Sequence, residues 1–173
     1  MIAGQRAERA AASDFGITKA KNGKMKLLLP RLKAAFPHVG ERSVTTREMF
    51  DLCSSRAVHV ITTSAVERGL YVRQFGEDFI FLNSRLTGWR MLHVFAHEIA
   101  HCLLHVPART QNAAFHFDGV TARRHHREAE SAAALLLIPP REIERMLIDG
   151  EFRENESLAD LISLRLDLIA KGL

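Results

Sequence analysis

Apolar and polar positions change period several times along the chain. LLLPRLKAAF (27–36) has a helical spacing interrupted by Pro30, and TTREMFDLCSS (45–55) has a cleaner one. In the second, Thr45 stands three residues before Glu48, the spacing of a capping box. Three short runs then turn β-branched and aromatic with partial alternation: AVHVITT (57–63), GLYVRQF (69–75) and DFIFLNS (78–84). They predict three strands. Between the last two lies Gly76-Glu77, and glycine in the first central position predicts a type II′ hairpin turn. From Thr87 to about His105 the period is helical again, with Pro107 to end it. After a loop, PARTQNAAFHFDG, a second strong helix is expected from about Ala122 to Ile138, stopped by Pro139-Pro140. Two more are expected at 141–148 and 157–170. The sum is an α+β fold, a small three-stranded antiparallel or mixed sheet packed on helices.

With 173 residues, 47% hydrophobic and 25% charged, the chain fits one soluble domain with a sizeable core. No run approaches a membrane span, and MIAGQRAERAAASDFG lacks the apolar segment of a secretory signal. The cytoplasm is therefore the expected compartment. Cys53 and Cys102 lack paired spacing, as suits free thiols. Net charge is +4 but unevenly spread. Residues 1–47 hold ten Lys/Arg against three Asp/Glu, and the remainder fourteen against seventeen. The expected organisation is a basic arm with a short helix over 1–45 and one compact domain over 46–173. No aromatic residues interleave the arm's charges, so charge alone does not make this a nucleic-acid binder.

The chemistry lies in FAHEIAHCLLH, residues 95–105. Positions i and i+4 of a helix differ by ~40° in direction, so His97 and His101 share one face a turn apart, as two ligands of one metal require. Glu98 is rotated ~100° from His97. That places its carboxylate beside the metal's open position, where a general base belongs. The apolar residues around the motif supply the dry wall that neutral ligand histidines need. The strand DFIFLN, just before this helix, is expected to offer a peptide substrate an edge to pair with.

A third ligand must come from elsewhere. His105 would stretch the row over ~12 Å of helix axis, too far for one ion. Cys102 points away from the His97/His101 face and reads as a packed thiol. The candidates downstream are His116, His125, His126, Glu128 and Glu130. The last four sit on an alanine-rich helix that can approach the first closely.

FAHEIAHCLLH together with EAESAAALLLIP (128–139) resembles the ImmA/IrrE metallopeptidase family, whose members pair HE[IL]GH-x-LLH with a later EAN-x-FAA-x-LLMP. The resemblance is firm over 86–139, about a third of the chain. It implies a zincin-like fold in which the sheet packs on an active-site helix. It implies Zn2+ held by His97, His101 and Glu128, with Glu98 as general base. Ala100 stands where the family has Gly, Glu130 for Asn, Ala132 for Phe and Ile138 for Met, and none of these removes a ligand. Glu128 heads the stripe Glu128, Ala132, Leu135, whereas Glu130 points ~200° away. Glu130 is thus expected to face solvent or Arg127, and His125, one turn before Glu128, is a candidate to support a ligand or stabilise an oxyanion, the alternative being an exposed histidine.

The resemblance further implies a cytoplasmic zinc endopeptidase that cuts an XRE-type helix-turn-helix repressor and so releases transcription. Residues 1–47 spell no helix-turn-helix, so the repressor is expected to be a separate protein. The alternative is a non-catalytic zinc-containing regulator that binds a protein or DNA partner. Glu98 separates the two, since a structural site has no use for a base and is usually closed by four protein ligands. The Leu/Ile stripe of the last helix reads as core.

Overall fold

A computed structural model describes residues 27–106, 113–114 and 120–173. Most of the basic arm, Pro107 and His116 lie outside these residues. The described elements are α1 (Leu28–Ala35), α2 (Thr46–Ser55), β1 (Val58–Thr63), β2 (Gly69–Gln74), β3 (Glu77–Asn83), α3 (Gly88–Leu104), β4 (Ala113–Ala114), α4 (Val120–Leu137), α5 (Pro140–Asp149), a 3-10 turn (Glu151–Glu154) and α6 (Glu156–Ala170). No described helix is long and apolar enough to cross a membrane.

Local chemistry accounts for most boundaries. The expected capping box starts α2: the Thr45 side chain accepts from Glu48 N–H, and the Glu48 carboxylate accepts from Thr45 N–H. Pro30 falls in the first turn of α1, where the missing N–H costs nothing. Pro140 opens α5 for the same reason. The hairpin differs from expectation. Gln74 pairs with Glu77, so the two central residues are Phe75 and Gly76, at φ +53° and +84°. Two positive φ values in a row make a type I′ turn, whose twist matches the strands. Phe75 accepts the left-handed conformation that the sequence pattern had left to glycine alone.

The sheet is mixed, in the order β1-β3-β2-β4. β3 pairs parallel with β1 and antiparallel with β2. DFIFLN is therefore the interior strand, not an edge. β2 lies beside the histidine helix, and among the described residues β4 pairs with its other side opposite Val72 and Arg73.

In α3, nine consecutive residues, His93 to His101, are buried. A helix buried on every side is a core element, and α3 is enclosed by the sheet, α4, α6, α1 and α2. Its most extensive packing is against α4. Ala96 and Ala100 of α3 and Ala129, Ala132, Ala133 and Ala134 of α4 are all fully buried, and such small residues let two helices lie close. The carbonyls at the end of α4 are satisfied by other elements: Leu136 O accepts from Val44 N–H, Leu137 O from the Ser43 hydroxyl and Ile138 O from Arg165 Nε. Leu32, Phe36, Val39 and Val44, from the stretch before α2, belong to the same core. So do Leu158, Leu161 and Ile162 of the α6 stripe.

Candidate metal centre

The Nε2 atoms of His97 and His101 lie 3.0 Å apart on one face of α3, both rings buried. Burial, then the charges of His97 and the neighbouring histidines, pushes His101 down to about 2. It is therefore a neutral imidazole, the form a metal binds. On the far side of its ring, Nδ1 lies 3.0 Å from His105 Nδ1. Burial likewise pushes His105 down to about 3.

Glu98 faces β2. Its Oε2 accepts the Tyr71 backbone N–H at 2.8 Å. Burial pushes the carboxyl up to about 7, opposed by His97, by the Tyr71 N–H and by Arg68. His97, Glu98, His101, His126, Glu130 and Arg68 line one cavity of about 120 Å³. Cys102 is turned away from it, beside Cys53, Ile80 and Ile99. Burial raises its thiol to about 11, which keeps it protonated and unsuited to a metal.

Helix α4 straddles α3. Ala129 is fully buried at the contact, so the residues on either side of it splay ~100° to left and right. One row, His126 and Glu130, meets the first half of α3. Glu130 Oε2 binds His93 Nε2 at 2.6 Å, and Oε1 approaches His97 Nδ1 at 3.1 Å, off the line of a hydrogen bond. The His126 ring lies 4.5 Å from that of His97. The other row, His125 and Glu128, meets the second half. Glu128 Oε2 lies 3.1 Å from His105 Nε2, and the His125 ring stacks on His105 at 4.3 Å.

Glu130 thus differs from the expectation of solvent or Arg127: it pairs with two buried histidines. The expectation took Glu128 as the centre of the contact face, whereas the centre is Ala129, and both carboxylates reach α3 from its flanks. Glu128 lies against His105, the outermost histidine of the row. His93 was missed altogether, although HVFAHEIAHCLLH repeats histidine at 93, 97, 101 and 105, one per turn.

Among the described residues, donor atoms of His97, His101 and His126 come within 4.8 Å of one another. Two ring nitrogens facing each other across 3.0 Å can share one proton between them, whereas a cation placed there would accept a lone pair from each. The donor set, nitrogen with carboxylates one residue away, suits zinc. The residues present fit a metal.

The family profile of the peptidase M78 group, described as the IrrE N-terminal-like domain, matches residues 53–158, more than half of the chain. No curated protein and no solved structure matches it.

Proposed function

This chain belongs to the peptidase M78 family, that of the IrrE N-terminal-like domain, and from that premise we propose that it is a cytoplasmic zinc-dependent endopeptidase whose substrate is an XRE-type helix-turn-helix repressor. The family supports a metallopeptidase; the zinc, the bond position and the repressor are our reading. The observation that carries it is the converging His97/His101 pair with Glu98 buried beside it in one cavity.

His97 and His101 would hold the metal through Nε2. For the third donor we propose Glu128, which the family motif singles out and which stands one imidazole away from His101. Binding would have it exchange His105 for the metal. A second reading, favoured by its approach to His97 and His101, gives that place to His126. Zinc, when bound, supplies Lewis acidity that polarises a carbonyl and lowers the pKa of water to ~7. Glu98 takes the proton of the attacking water and passes it to the leaving amine, a part for which a pKa near the working pH is suited. Tyr71 N–H fixes the carboxylate in the meantime. Glu130 lies against the outer side of His97 while binding His93, and His125 supports His105 by stacking.

Incubation of the zinc-loaded chain with an XRE-type repressor encoded beside it tests the reading. Discrete cleavage that stops in Glu98→Gln is the expected result. Tight zinc binding without hydrolysis of any protein, under any inducing condition, would favour a non-catalytic regulator.

A further inference from the structure

Gly69 begins β2 directly beneath Glu98. A Cβ built on it would stand 2.5 Å from Val94 Cγ1, 2.9 Å from Glu98 Oε1 and 3.0 Å from Glu98 Cγ. Heavy atoms do not approach that closely, so a side chain here would force Val94 and Glu98 to shift. Glycine is not needed here for the backbone's sake. Gly69 is absent from the residues with positive φ, unlike Gly76 in the turn. The requirement comes from Glu98 and Val94 alone.

Two residues on, the same strand supplies the other half of the contact. Successive residues of a strand send their N–H groups to opposite sides, and Tyr71 sends its own away from β3, to Glu98 Oε2 at 2.8 Å. The carboxylate therefore lies flat on the strand, one oxygen over Gly69 and the other on the Tyr71 amide. A flexible side chain yields easily to an added methyl, whereas the strand, paired along its length with β3, does not.

We propose that Gly69 is a positioning residue: by lacking a side chain it lets β2 clamp Glu98 in the orientation general-base catalysis needs. The catalytic half of this claim rests on the peptidase reading above; the clamp itself does not. Displacing Glu98 costs little stability but much rate, since a misplacement of about 1 Å can cost about 10²-fold.

The test separates packing from positioning. Val94→Ala removes the atom at 2.5 Å, so Gly69→Ala/Val94→Ala can seat the new methyl against α3 while the collision with Glu98 remains. In uniformly labelled protein the Tyr71 amide resonance reports its bond to the carboxylate. It is expected to move upfield in the double variant, as it does in Glu98→Gln, and to stay in place in Val94→Ala. Zinc affinity should hold within about threefold while kcat falls about 10²-fold and KM changes little. An unmoved Tyr71 amide, or full turnover in the folded double variant, overturns the proposal. Should that variant fail to fold, Glu98→Asp draws the carboxylate back by one methylene without touching Gly69, and an unmoved Tyr71 amide there overturns it as well. If the amide moves but the unmodified chain cleaves nothing, the peptidase reading fails and the clamp stands.

Discussion

Glu130 stands behind His97, its Oε1 3.1 Å from Nδ1, while its other oxygen holds His93 at 2.6 Å. A small turn of the ring on binding a metal would let His97 Nδ1–H donate to that carboxylate, and losing such a partner costs about 10–100-fold in metal affinity. Glu130→Gln should therefore weaken zinc binding by about 10–100-fold. Glu128→Ala, removing a proposed donor, should weaken it well beyond that range, and His126→Ala should leave it near the starting value. Competition titrations against a chelator distinguish the three. If His126→Ala shows the largest loss, the third donor is His126 and Glu128 serves only His105.

Glu98→Gln keeps the shape of the side chain and removes its ability to accept a proton. We expect an unchanged zinc stoichiometry and a loss of at least ~10²-fold in peptide hydrolysis. Hydrolysis at the original rate would remove Glu98 from the mechanism.

Burial of Ala129 between the two histidine helices sets how near α4 comes to α3. Ala129→Leu should cost about 1–3 kcal/mol through overpacking and weaken zinc binding as well, because the α4 donors retreat. Thermal unfolding with and without zinc measures both. A variant that unfolds earlier yet binds zinc as before would show that helix spacing does not govern the site.

The Arg42–Glu48–Thr45 cluster predicts a pH effect far from the metal. Arg42 donates twice to Glu48, at 2.8 and 2.6 Å, and with the Thr45 N–H it holds the carboxyl down to about 2 from an ordinary 4.5. The folded value lies below the unfolded one. The contribution is thus complete above pH 4.5 and lost as pH falls toward 2. Glu48 is solvated, so screening keeps the effect small; Glu48→Gln should cost about 0.5–1 kcal/mol at pH 7. Urea unfolding should show the gap between the two proteins narrowing as pH falls from 4.5 toward 2, and a gap that widens on acidification would refute this.

Local rules made the elements legible. The Thr45/Glu48 spacing, the β-branched runs and the prolines after α4 each act through the residues beside them, and the strands and helices formed where those residues stand. The order of the strands was not legible, because DFIFLN pairs on both sides with partners that no local pattern names. Nor was the type I′ turn, since Phe75 takes a left-handed φ that its own preference disfavours. In the site, the one-turn spacing placed His97 and His101 on one face. The lean of α4 on Ala129 decided where Glu128 and Glu130 went, and Gly69 gave no signal because its meaning depends on a side chain 29 positions later.

Zinc uptake by the purified, folded chain bears most directly on the account. Titration with zinc followed by elemental analysis should give one tightly held ion per chain, and His97→Ala and His101→Ala should each abolish it without unfolding the protein. A fully folded chain that takes up no zinc, or one whose uptake survives loss of both histidines, would contradict the claim that this pair is the heart of the site.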